Sequence, residues 1–136
     1  MSSLRYVGSL PFLGLLLACA PAVQSQGWEA VVVERLYFGR NVGDTVVVTD
    51  SAWAAFVTDV VTPHFPAGLT TWSAMGQWRG GDGRIQREPS FVLELVHRVR
   101  APATETAIAT IIAEYKRRFR QEAVLRVVTP AHVAPE

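Results

Sequence analysis

Three shortages bound what this chain of 136 residues can be. It has one cysteine, Cys19, so no disulfide can staple it and its stability has to come from an apolar core. Charged residues make up only 18% and nearly cancel, 13 basic against 12 acidic, which gives no global attraction for nucleic acid or strongly acidic partners. His64, His97 and His132 stand singly, with no i, i+4 pair and no C-x-x-C, so neither a metal nor another cofactor is expected. There is no G-x-S-x-G, and Ser90 follows Pro89 without an obvious base. Long apolar runs are missing too, since Leu10 to Leu17 (LPFLGLLL) is too short to span a bilayer.

That short run still carries an address. Arg5 precedes it and small residues follow, the layout of a secretory signal. Leu16-Leu17-Ala18-Cys19 resembles a bacterial lipobox, in which the cysteine thiol is acylated with diacylglycerol before cleavage in front of it. Residues 1–18 then form the signal peptide, 19–28 a flexible tether and 29–136 a single domain. The alternative is an ordinary export signal cut after Ala22, because Ala20-Pro21-Ala22 fits the small-x-small rule. The lipobox reading places the protein in the cell envelope, lipid-anchored to a membrane and facing the periplasm or the exterior.

The remaining sequence, within a chain that is 49% hydrophobic, divides by periodicity. Val31 to Phe38 is rich in β-branched and aromatic residues and predicts a first strand whose core face is Val32, Leu36 and Phe38. Thr49 suits the cap of a first helix in which Trp53, Phe56, Val57 and Val60 share a stripe and Pro63 forms the stop. Leu69 to His97 reads as two strands around Gly80-Gly81-Asp82-Gly83, a hairpin turn and not a phosphate loop. With Gly81-Asp82 as the loop pair, Trp72 faces Phe91, so Trp72, Ala74 and Trp78 join Ile85, Phe91, Leu93 and Leu95 in the core. Pro89 marks a bulge or an end of pairing. Pro102 to Arg120 predicts a second helix, with Ile108, Ile111, Ile112, Tyr115 and Phe119 inward and Lys116, Arg117, Arg118 and Arg120 clustered at its end. Ala123 to Val128 predicts a fourth strand closed by Pro130, with Leu125 and Val127 inward.

The order β-α-β-β-α-β is that of an α+β, ferredoxin-like fold: a four-stranded antiparallel sheet, strand order 4-1-3-2, with both helices on one face. The other face is left bare, and the candidate ligand-binding residues are those expected on it: Arg35, Tyr37, Gln77, Ser90, Glu94 and Arg126. An Arg–Glu ladder that satisfies itself across strands is the plainer account of the same residues. Arg79, Arg87 and Glu88, with Arg84, make the hairpin end strongly polar. Trp53, Trp72 and Trp78 read as core and not as stacking platforms for nucleic acid.

ERLYFGR, the VTPHFP-GLT turn, GQWR before the glycine turn, RE-S in the next strand and RRF-QE-VLRV near the end together resemble a family of small exported bacterial proteins known only as a domain of unknown function. The resemblance covers about Glu34 to Thr129 and implies the same fold and address, without adding a reaction. Tyr37, Gly39, Gln77, Trp78, Arg79, Arg87, Glu88, Ser90, Gln121, Glu122 and Arg126 match its pattern, whereas Ala52 stands where the family has an acidic residue opening the first helix.

The function these features imply is an envelope domain that binds a ligand or partner, or dimerises, through the open face of its sheet. The alternative is a metal-independent enzyme of the dimeric α+β barrel type, in which Tyr37, Arg35, Glu94 and Arg126 handle a small anionic or phenolic substrate. A weaker reading has the hairpin end and the helix arginines binding an anionic envelope polymer. Radiolabelled palmitate fed to expressing cells is expected to label the wild type and not Cys19→Ala; equal labelling of both ends the lipoprotein reading.

Overall fold

The computed structural model describes residues 27–42, 45–79, 81, 83–98 and 102–134, so the signal, Cys19 and most of the tether lie outside the described residues. In chain order the elements are β1 (Glu29–Gly39), β2 (Asn41–Val42), β3 (Thr45–Val46), α1 (Asp50–Phe56), a π-helical stretch (Val57–Val61), α2 (Thr62–His64), β4 (Thr70–Arg79), β5 (Ile85–Arg98), α3 (Pro102–Phe119) and β6 (Leu125–Val133). The sheet order is β4-β5-β1-β6 with every neighbouring pair antiparallel, and β2 and β3 form a small separate ribbon. The fold is α+β and ferredoxin-like, in the expected strand order.

Residues of one parity on each central strand build the core. Leu36 and Phe38 of β1 and Phe91, Leu93 and Leu95 of β5 pack with Trp53, Phe56, Val60 and Val61 and with Ile108, Ile111 and Tyr115 of α3. Both helical segments therefore cover the same face of the sheet. Aromatic rings fill the middle: Trp53 stacks on Phe91 at 4.7 Å, and the Phe38 and Tyr115 rings meet edge-on at 4.5 Å. The Arg40 guanidinium lies 4.3 Å from the centre of the Phe91 ring, closing one edge of the cluster.

Three local expectations are corrected. The first helix is capped by the Thr49 hydroxyl, which accepts from the Ala52 N–H, but Pro63 does not stop it. The chain widens into π-helix over Val57–Val61, the Thr62 hydroxyl donates to the Val57 carbonyl, and Pro63 sits in the first turn of α2 where a missing N–H costs little. β6 likewise does not end at Pro130, which pairs with Val32; as an edge strand it needs a ladder donor there on one side only. The hairpin register differs by one residue. Arg79 pairs with Ile85 and Trp72 with Val92, so the connection is five residues long, closed by the Arg79 side chain on the Gly83 carbonyl with Gly83 at φ +80°. Trp72 and Trp78 thereby move out of the core to the open face, and Ile85, beyond the reach of the helices, is exposed. The expectation about Pro89 holds on one side only: pairing of β5 with β1 ends beside it, at Gly39 and Ser90, whereas pairing with β4 runs through it without a bulge, Pro89 lying opposite Met75.

A clamp joins the ends of β1, β5 and α3. Glu88 accepts from the Asn41 N–H at 2.9 Å, Gln121 Nε2 donates to the Asn41 carbonyl at 2.9 Å, and the Tyr115 hydroxyl donates to the Gly39 carbonyl at 2.8 Å. Burial, reinforced by Glu88 and opposed by Arg40, pushes the Tyr115 hydroxyl well above its ordinary pKa, so it stays a donor. A Cβ on Gly39 would lie 2.6 Å from Glu88 Oε1, whereas one on Gly76 would meet only the Glu88 carbonyl at 3.7 Å. Gly39→Ala is therefore expected to cost about 1–3 kcal/mol in urea denaturation while Gly76→Ala stays within about 0.5 kcal/mol. Equal midpoints for the two variants would show that the clamp yields freely.

Candidate functional site

The open face is best described by its cross-strand rows. One row reads Trp72, Val92, Tyr37, Leu125 across β4, β5, β1 and β6, and the next reads Thr70, Glu94, Arg35, Val127. Val96 and Val33 continue it, as do Arg98 and Val31. Val92 is only 1% exposed and Val31 7%, yet neither belongs to the core cluster; they are covered from the open side by their neighbours. Around them stand Trp72, Val96, Leu125 and Val127, all exposed, while Trp78 is exposed farther along the hairpin, opposite Gln86 and past the end of β1. Near the centre the Arg35 Nε donates to Glu94 at 2.6 Å, so the two charges in the middle of this apolar field answer each other. A hollow of about 350 Å³, lined by Ala67 to Thr70 with Glu94 and Val96, opens beside the pair.

Of the six candidate residues, the structure brings Arg35, Tyr37, Ser90 and Glu94 together on this face and separates two. Gln77 pairs with Arg87 on the opposite side of β4, a consequence of the shifted register. Arg126 also points to the helix side, where it forms a polar cluster with Glu34 and Glu105. Its Nε and Nη2 each donate to Glu34 at 2.6 Å, and Nη1 and Nη2 reach Glu105 of α3 at 2.9 and 3.0 Å. These bonds, Glu34 first and Glu105 second, hold the guanidinium charged more firmly than usual. The hairpin residues do not act as one group: Arg79 closes the turn, Arg87 pairs with Gln77, and Glu88 belongs to the Asn41 clamp.

Glu34 is the residue that the strand pattern passed over. It is fully buried on the core face of β1 between Val32 and Leu36, opposite Leu95 and Val128. Its place in that even-numbered apolar series was the signal, because an acid there needs a cation of matching parity on a neighbouring strand, and Arg126 has it. His97 completes the neighbourhood: Nδ1 donates to the Arg98 carbonyl at 2.9 Å and Nε2 lies 3.6 Å from Glu34, buried, with no hydrogen bond among the described residues. Both Glu34 oxygens accept from Arg126, and the chemistry of the cluster is that of an interior brace. Arg126→Met is expected to cost about 3 kcal/mol or more, and the double variant Glu34→Leu with Arg126→Met less than that single change. A double variant costing as much as the sum of the two single ones would disprove the brace.

Among the described residues no helix is long and apolar enough to cross a membrane. Residues 33–134 match the model of a family described as "Protein of unknown function (DUF3574)". A comparison with curated proteins finds no match. Similar solved structures include a phage SAM lyase in complex with S-methyl-5'-thioadenosine, 13% identical with a TM-score of 0.61 over 83% of this chain and 96% of that one. A phage SAM lyase in the apo state is 14% identical with a TM-score of 0.56, covering 95% of this chain and 98% of that chain. At these identities the likeness is one of fold.

Proposed function

This chain belongs to the DUF3574 family, and from that premise we propose that it is an exported, lipid-anchored envelope domain whose working surface is the open face of its sheet. The observation that carries the reading is the exposed apolar group of Trp72, Val96, Leu125 and Val127 around a self-paired Arg35 and Glu94. Isolated exposed apolar side chains are ordinary, but a group drawn from three strands around one ion pair is costly to leave in water. The domain works by holding a partner or ligand against that field. Tyr37 and Ser90 supply polar points within it.

A second reading is catalytic. The whole architecture is shared with a lyase that holds S-methyl-5'-thioadenosine, and Arg35, Tyr37 and Glu94 would then line a pocket made when the face is covered. Oxidative radical labelling tests both. Trp72, 41% exposed, and Trp28, 50% exposed, should label alike in the free domain. In the envelope of intact cells Trp72 is expected to be protected several-fold relative to Trp28, and equal labelling there removes the open-face reading. Extra protection of Trp72 in the purified chain on adding S-methyl-5'-thioadenosine selects the catalytic reading.

A further inference from the structure

We infer that the open face is covered by a second copy of this chain, packed sheet on sheet about a two-fold axis that runs parallel to the strands between β5 and β1. The inference rests on the open-face reading and names its occupant. Such an axis exchanges β4 with β6 and β5 with β1 in the facing sheet, in the aligned manner in which sheets stack about 10 Å apart. The observed rows then meet as complements. Trp72 of one copy lies over Leu125 of the other, Val92 over Tyr37, and Thr70 over Val127. Trp72 thus covers Leu125, the β6 residue that is 62% exposed.

The charges choose the axis. With the strand-parallel axis, Glu94 of each copy faces Arg35 of the other, and two lateral pairs join into an alternating cluster of four with no net charge. A two-fold perpendicular to the strands through the same row would set Arg35 over Arg35 and Glu94 over Glu94. A lipid surface is a poor cover because it leaves an ion pair against hydrocarbon, and an anionic polymer would meet as much negative as positive charge. The strands that would meet are β5 and β1 along their pairing from Val31 to Gly39, flanked by Thr70 to Trp72 over Leu125 to Val127.

The test places a photo-crosslinking benzophenone amino acid at Trp72, Leu125 or Arg117 of the full chain in expressing cells, Arg117 being an exposed position on α3. The expected result is a product of twice the chain mass from positions 72 and 125 but not from 117, with the Trp72 crosslink mapping to Leu125–Val127 of the other copy. A Trp72 crosslink mapping to β4 overturns the axis. Products of another mass from positions 72 and 125 overturn the second copy while leaving the open-face reading intact, and no product from either position overturns both.

A measurement independent of those substitutions uses two tagged chains, one Arg35→Glu and one Glu94→Arg, expressed together. Each variant alone opposes like charges, whereas the mixed pair restores Glu over Arg at both contacts. Mixed pairs are expected to exceed like pairs by about tenfold, the ratio that about 1.4 kcal/mol produces. A statistical mixture contradicts the proposed contact.

Discussion

A carboxylate with no exposure on the core face of β1 is the constraint from which much of this structure follows. Glu34 stands in an apolar series, and a buried charge of that kind persists only with a partner in good geometry. Arg126 supplies it with two bonds of 2.6 Å and ties in Glu105 of α3 at the same time. That demand settles which side of β6 faces the helices. Because side chains alternate along a strand, turning Arg126 inward turns Leu125 and Val127 outward. The interior brace and the apolar open face are two consequences of one register.

The far edge of the sheet obeys the same alternation for a different reason. β5 must place Phe91, Leu93 and Leu95 against Trp53 and the helices, which leaves Val92 and Glu94 on the open side. A five-residue connection then sets β4 so that Trp72 stands beside Val92. The two edges of the open face are therefore aromatic on one side and aliphatic on the other, with Arg35 and Glu94 between them.

Several positions that resemble the family pattern have structural duties. Glu88 and Gln121 hold the backbone N–H and carbonyl of Asn41, and Gly39 leaves room for the Glu88 carboxylate. Tyr115 anchors the same corner from within the core. These residues bring the β1 end, the hairpin and α3 to one point and so hold the open face in shape.

Periodicity in the chain was enough to determine the element order, the two helical stripes and the inward set Leu36, Phe38, Phe91, Leu93 and Leu95, because each depends on spacing along a single segment, and the strand order followed from the element order through the handedness of crossovers. The pairing of Arg35 with Glu94 was legible for the same reason: both lie on central strands whose faces are set by bulky core residues. Tertiary structure alone decided the faces of the edge strands. A hairpin loop of two or of five residues is compatible with the same glycine run, and the difference of one in register sends Trp72 and Trp78 outward and Gln77 to the other side. In β6, Leu125 and Val127 look inward by hydrophobicity, yet the cost of an unpaired buried Glu34 outweighs burying two aliphatic side chains, so Arg126 goes in. Local pattern measures how apolar a residue is, whereas the face of an edge strand depends on what stands across from it.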